Sequence, residues 1–332
     1  SVGGVMHVED MIERPIYLVK SGPAMAPIAG LSYADTEALG SNVVVVDTGG
    51  TTFDVSLVRD GAVSHTRETW LGDIYTGHLL GMGSVDIRSI GAGGGSIAWL
   101  DAGGLLRVGP QSAGARPGPA CYGGGGTEPT VTDAALVLGY LNPANFLGGR
   151  MALDPAAAAK VIGALATRLG KPLHDTALAV LTVANENMIK AIQEITVKEG
   201  FNPADAVLVA GGGAAGLNIL PIARALGMQR VLLPRTAGAL SACGAHFSDV
   251  VREVSASRFA TTRDFDHAGV NATLAGLEAQ LDAFAQQLKA RGLDQFQRSF
   301  AVEARYAGQI WELELPLRGA RLSSAAEVAA LV

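Results

Sequence analysis

A chain of 332 residues, 48% apolar and 17% charged, is long enough for one large or two modest domains with proper cores, which excludes a small stapled fold. The formal net charge of −6, without any Lys/Arg run, gives no footprint for nucleic acid, and no apolar stretch approaches the roughly 20 residues that cross a bilayer. The chain therefore reads as soluble and cytoplasmic, with neither nucleic acid nor membrane as a partner. Cys121 and Cys243 lie far apart and make no framework, in keeping with a reducing compartment.

In chain order, Ser1 stands where an initiator methionine would, and Gly3 and Gly4 begin in mid-loop. Together with a C-terminus that stops at Ala-Leu-Val inside a starting helix, this reads as a piece of a longer protein. A short helical stretch leads to a strand over Ile16 to Val19, then to a tight loop, Ser21-Gly22-Pro23-Ala24, entering a helix.

The β-branched run Val43 to Val46 predicts a buried strand, and Phe53 to Val58 its return partner. Between them lie Asp47, Thr48, Gly49, Gly50, Thr51, Thr52 and Asp54. Glycines let the backbone approach a ligand and expose its N–H groups, and threonine hydroxyls add donors, so the turn suits phosphate. The flanking carboxylates would repel phosphate unless a divalent cation or an attacking water stood between, which points to metal-assisted phosphate chemistry. The competing reading is an ordinary hairpin whose turn contains Gly-Gly.

Residues 72 to 149 form a glycine-rich, loop-dominated segment. Gly91 to Ser96 makes an anion-binding nest that would shape the substrate side of the phosphate site, and Ile97 to Val108 a hairpin turning at Asp101 to Gly104. His78, Cys121 and Asp133 in this segment raise the expectation of an additional divalent transition-metal site, although their spacing matches no recognised ligand pattern. Two helical segments follow from Asp154 to Gly200, parted by Gly170 to His174. The second is N-capped by Asp175 and buries Leu178, Leu181, Ala184, Met188, Ile192 and Ile195; Lys190 and Glu194 make an i, i+4 surface pair on it.

Ala206 to Ala210, Leu217 to Leu226 and Arg230 to Leu233 read as a βαβ unit whose loop, Gly211 to Gly216, satisfies GxGxxG. A dinucleotide site would place an acidic residue at the end of the next strand, where Pro234 and Arg235 stand instead; an NADP-binding Rossmann domain survives as the minor reading. A small-residue helix over Gly238 to Asp249 can pack closely on a neighbour. A domain boundary is placed near Ser255, dividing residues 1–255 from 256–332. The second part holds an amphipathic helix near Ala272 to Arg291 and an alternating segment, Phe300 to Leu317.

The pattern DxGGTxxD resembles the second phosphate loop of the actin, sugar-kinase and heat-shock-chaperone ATPase superfamily. SGPAMAPIAG at 21–30, DTGGTTFDVSLVRDG at 47–61, the glycine-proline segment at 89–139, NENMIKAI at 185–192 and ARYAGQIWEL at 304–313 more specifically resemble the hydantoinase/oxoprolinase A family. That family includes N-methylhydantoinase, 5-oxoprolinase and the large subunits of acetone and acetophenone carboxylases. The resemblance implies an α/β fold: an actin-like (ribonuclease H-like) ATPase lobe with a glycine-rich loop insertion, followed by part of a smaller α+β C-terminal domain.

It implies ATP and Mg²⁺, with phosphorylation of a cyclic amide or enolate oxygen completed by a hydantoinase B-type subunit or domain, in an oligomer. Asp47 would position water, Mg²⁺ or the accepting oxygen, Thr48 to Thr52 would bind phosphates, and Asp54 would support the loop or the metal shell. Gly211, Gly212 and Gly213 would face adenosine, and in the superfamily the helix bearing Lys190 and Glu194 can border the adenine. Family members begin with a domain bearing a first DxGGT loop that is not found here, so an N-terminal lobe is expected to complete the ATP site, and the isolated chain is expected to be inactive. An ATP-dependent amidohydrolase is the first reading, an acetone/acetophenone-type carboxylase the second and a non-enzymatic ATP-driven scaffold the third.

Overall fold

The computed structural model describes residues 3–66, 68–72, 76–310 and 312–331. Ser1, three positions of the glycine-rich segment (73–75) and Trp311 in the motif at 304–313 lie outside them. The chain divides into two compact units, Ser1–Val251 and Arg252–Val332.

The first unit opens with helices α1 (Val8–Glu13) and α2 (Ser21–Thr36). Strands β1 (Val43–Thr48) and β2 (Phe53–Arg59) follow, then the two-residue strands β3 (Ala62–Val63), β4 (His65–Thr66), β5 (Trp70–Leu71), β6 (His78–Leu79) and β7 (Ser84–Val85). Next come β8 (Ile87–Ile90), the hairpin β9 (Ser96–Leu100) and β10 (Leu106–Ser112), and the helices α3 (Val131–Val137), α4 (Pro155–Leu169) and α5 (Leu173–Lys198). Strand β11 (Val207–Gly211), helix α6 (Ala215–Ala225), strand β12 (Arg230–Leu232) and helix α7 (Leu240–Phe247) complete it.

The principal sheet runs β12-β11-β1-β2-β3, with β8 also paired to β2. Strands β12, β11 and β1 are parallel, whereas β2 is antiparallel to β1. Alternation along β1 sends Val44 and Val46 to one face, where they pack with Phe53, Val55, Leu57 and Leu208 against Met188, Ile192 and Ile195 of α5 and Ile219 and Ile222 of α6. Val43 and Val45 face the other side, against Ala26, Ala29 and Ala34 of α2 and Leu240 of α7. A β-carbon on Gly244 would stand 1.8 Å from the Met25 carbonyl, so α7 lies backbone-close on α2 as its small residues predict. This is a mixed sheet between two helical layers.

Helix α5 serves two cores. Its C-terminal half closes the sheet, while Ala177, Val180, Leu181 and Ala184 pack with Val131 and Ala134 of α3, Ile162 and Leu165 of α4, and Ala98 and Val108 of the β9–β10 hairpin. The glycine-rich segment is thereby ordered on a small helical module of its own.

Local expectations are corrected at four places. Ile16 to Val19 is no strand: Pro15–Leu18 forms a 3₁₀ turn with proline at its first position, where its fixed φ and missing N–H suit helical backbone. Helix α2 begins at Ser21 itself, with Pro23 in its first turn. Asp175 is not an N-cap, since α5 starts at Leu173 after Pro172 and carries Asp175 in its first turn, where a carboxylate favours the helix dipole. Leu178 is 52% exposed because the buried stripe runs through Ala177, Leu181, Ala184 and Met188, leaving 178 one position round the helix.

The second unit holds α8 (His267–Lys289), N-capped by Asp266, the antiparallel hairpin β13 (Phe300–Ala304) and β14 (Leu313–Leu317), and α9 (Ala325–Ala329). Val270, Leu274, Leu322 and Val328 form its small core. Among the described residues no helix is long and apolar enough to cross a membrane.

Candidate phosphate-binding site

The β1–β2 turn lies at the C-terminal end of the parallel strands β1 and β11, where open α/β sheets present ligand crevices. The Gly49 N–H donates to the Thr52 carbonyl (3.0 Å), closing a compact turn in which Gly50, Thr51 and Thr52 are exposed. Thr48 is only 1% exposed, so its side chain is not open to a ligand as the sequence reading expected, and its carbonyl accepts the Ala214 N–H at 3.0 Å.

The glycine run 91–95 lies directly on this turn. Gly94 donates to the Gly49 carbonyl (3.1 Å) and Gly95 to the Gly50 carbonyl (2.7 Å). A β-carbon on Gly93 would come within 2.7 Å of the Gly49 carbonyl oxygen, and one on Gly95 within 2.9 Å of that of Gly50, so both positions exclude any side chain unless the turn shifts. From behind, Thr132 binds the Gly94 carbonyl through its N–H (2.8 Å) and its hydroxyl (2.7 Å), fixing the run to the start of α3.

The second glycine loop meets the same place. Gly212 has φ +90°, and a β-carbon there would overlap the Thr48 carbonyl at 2.2 Å and Asp47 Oδ1 at 2.6 Å. Gly211 ends β11 opposite Asp47 and is pressed by Leu240, whereas Gly213 is exposed and has open space around it. Loops more than 150 residues apart in the chain thus meet at one edge of the sheet. The second loop joins β11 to α6 within a parallel unit, as the NADP reading also requires, but its glycines close on the β1–β2 turn and the sheet continues through antiparallel β2, an arrangement that favours the phosphate-turn reading.

Asp47 and Asp54 are direct cross-strand partners, as are Asp54 and Ser89 of β8. Burial pushes both carboxyls above the ordinary carboxylate range. At Asp47 the charge of Asp54 adds to this, and the Ser241 hydroxyl, donating to Oδ2 at 3.4 Å, opposes it. At Asp54 a Ser89 hydrogen bond and the positive charge of Lys20 oppose it. Two half-buried carboxylates that resist ionisation in this way suit a hard, oxygen-seeking cation between them.

The transition-metal trio does not assemble: among the described residues no group of three or more His, Cys, Asp or Glu is placed to hold a metal. Asp133 is fully buried and accepts from Ala120 N (3.3 Å), Cys121 N (2.8 Å), Thr130 N (3.1 Å) and Thr130 Oγ1 (2.8 Å), which occupies its lone pairs structurally. Burial and the neighbouring Asp133 push the Cys121 thiol far up, away from the thiolate a metal requires. Lys190 and Glu194 stand 3.9 Å apart on exposed helix surface, as their spacing predicts.

Lys20, Ser89, Ser112 and Ser241 are site neighbours that sequence reasoning passed over, because each is a single residue without a motif. The Lys20 backbone is left-handed (φ 56°) just before α2, and the only local signal was the adjoining Ser-Gly-Pro.

Hairpin turn, second glycine loop and flanking carboxylates on a mixed sheet define an actin-like ATPase lobe. The chain belongs to the hydantoinase/oxoprolinase family, whose profile matches residues 1–254. It is 36% identical over 334 residues to caprolactamase subunit alpha of Pseudomonas jessenii, covering 97% of this chain and 46% of that protein. It is 35% identical over 312 residues to the acetophenone carboxylase gamma subunit of Aromatoleum aromaticum, covering 91% and 42% respectively. The crystal structure of the ATP-dependent caprolactamase from Pseudomonas jessenii superposes with a TM-score of 0.75 at 36% identity, over 93% of this chain and 44% of that one. The chain therefore spans less than half the length of these relatives, both of which are named as enzyme subunits.

Proposed function

We propose that this chain is the nucleotide-binding lobe of an ATP-dependent amidohydrolase that activates a cyclic amide by phosphorylating its carbonyl oxygen. The observation that carries the reading is the convergence of the exposed turn Gly49 to Thr52, Asp47, Asp54 and Gly211 to Gly213 on one edge of the sheet. Exposed backbone and threonine donors at the turn would hold the terminal phosphates of ATP, with Gly213 and the open loop beside it toward the nucleoside.

Asp47 and Asp54 would hold Mg²⁺, which when bound neutralises charge on the phosphates. Asp47 would also orient the accepting oxygen. The γ-phosphoryl group leaves ADP and forms an O–P bond to the amide oxygen; water adds to the activated carbon, the C–N bond breaks to free the amine and leave an acyl phosphate, and a second water releases phosphate from it to give the carboxylate. Relatives named as subunits support a B-type partner that completes hydrolysis, and a further lobe that completes the nucleotide site. The similarity to an acetophenone carboxylase subunit supports a second reading, in which a ketone enolate oxygen is phosphorylated before carboxylation.

Calorimetry of the full-length parent with Mg·ATP tests the proposal. Binding that disappears in Gly50→Val is expected. The same titration without any ATP binding by the wild-type protein would overturn the reading.

A further inference from the structure

A loop whose base is fastened to the turn carries a cation that nothing in the site yet uses. Strand β10 ends at Ser112, whose hydroxyl lies 3.5 Å from the Gly50 carbonyl and accepts the Gly114 N–H at 3.1 Å. Ala113 donates to the Gly95 carbonyl (2.9 Å), one residue from the Gly95–Gly50 contact. The Gly118 N–H then returns to the Ala113 carbonyl (3.1 Å), closing a tight loop over residues 113–118. The base of this loop is thus fastened to the turn at Gly50 and to the glycine run at Gly95, and Arg116 is at its tip.

The loop is also held from behind. A β-carbon on Gly124 would stand 2.4 Å from the Pro117 carbonyl oxygen, and one on Gly126 would stand 2.1 Å from that of Gly118, so the following glycines lie backbone to backbone against it. Asp133 fastens the next residues through the Ala120 and Cys121 N–H groups. Arg116 is exposed, and its side chain has no ion-pair or hydrogen-bond partner among the described residues. A guanidinium on a braced loop costs little reorganisation when it meets an anion, and its planar fork matches phosphate oxygens.

We propose that Arg116 reaches over the β1–β2 turn and neutralises the terminal phosphate of the bound nucleotide, as a catalytic residue contributed by the glycine-proline loop. This rests on the reading of residues 49–52 as a nucleotide-phosphate site. A charge at the terminal phosphate is felt only by the triphosphate, so in this role Arg116 distinguishes the triphosphate from the diphosphate.

The test is calorimetry of the full-length protein with Mg·ATP and with Mg·ADP, on wild type, Arg116→Ala, Arg116→Lys and Arg116→Glu, with thermal melts to check folding. Arg116→Ala is expected to weaken Mg·ATP at least about tenfold while leaving Mg·ADP unchanged, the loss of one charge-assisted hydrogen bond. Arg116→Lys should recover part of the difference and Arg116→Glu should enlarge it. Equal ATP and ADP affinities relative to wild type in Arg116→Ala and Arg116→Glu would overturn the role of Arg116 alone. Absence of Mg·ATP binding by the wild-type protein would overturn both this role and the phosphate site beneath it.

Discussion

Asp47 and Asp54 face one another across the β1–β2 ladder, two carboxylates in direct register at the mouth of a turn made of exposed backbone. Like charges opposite each other in an antiparallel pair cost stability, and burial adds to the cost, so the fold gains nothing from the pair, in keeping with the proposed role in holding a ligand.

Asp47→Asn is therefore expected to keep the fold and to abolish ATP turnover in the full-length parent. Because the folded protein holds this carboxyl above its ordinary value, the protonated form is favoured on folding. The associated stability is present below the unfolded value of 3.8 and lost as pH rises through the elevated one. The variant should thus gain about 0.5 kcal/mol over wild type at pH 7, and the gain should fade toward pH 4. Urea melts at the two pH values, paired with an ATPase assay, check both parts.

Gly50 and Gly95 should part company under substitution. Nothing lies within 4 Å of a β-carbon at Gly50, so Gly50→Val should melt within about 0.5 kcal/mol of wild type and still lose Mg·ATP, its side chain filling ligand space. Gly95→Ala drives a methyl to 2.9 Å from both the Gly50 carbonyl and the Ser112 hydroxyl, and should cost about 1–3 kcal/mol by overpacking. Thermal denaturation and calorimetry on both variants separate a ligand-facing glycine from a packing one.

At the α2–α7 crossing, Gly244→Val has nowhere to go, since its β-carbon would meet the Met25 carbonyl at 1.8 Å. The helices must separate, and a loss of more than about 3 kcal/mol, read as a lowered urea midpoint or insoluble expression, is expected.

Asp133→Ala leaves the buried N–H groups of Ala120, Cys121 and Thr130 without their acceptor. A loss of about 3–5 kcal/mol is expected, and hydrogen exchange should show residues 113–122 opening first. If Asp133 were a transition-metal ligand instead, wild-type protein prepared without Mg²⁺ or nucleotide would lose stability on chelation; no such response is expected.

Local structure was legible wherever neighbours in sequence decide it. The run Val43 to Val46 with Phe53 to Val58 specifies a hairpin, the glycine-threonine turn between them specifies an exposed backbone, and the apolar stripe of α5 specifies one long buried helix. The family resemblance rests on contiguous motifs of the same kind. Where propensity competed with context the reading failed: Pro15 turned a strand-like segment into a 3₁₀ turn, and Leu178 fell off a stripe whose position is set by two cores at once.

Only the tertiary structure decided which distant residues share the site. Gly93 to Gly95, Gly212, Lys20, Ser89, Ser241 and the loop bearing Arg116 reach one sheet edge because the sheet order places β11 and β8 beside the β1–β2 hairpin and α5 anchors the glycine segment to it. The same geometry separated Asp133 from metal chemistry by surrounding it with backbone donors. Strand order and close backbone approach are properties of packing between segments far apart in the chain, and periodicity, which reports only on each segment's own face, carries no information about them.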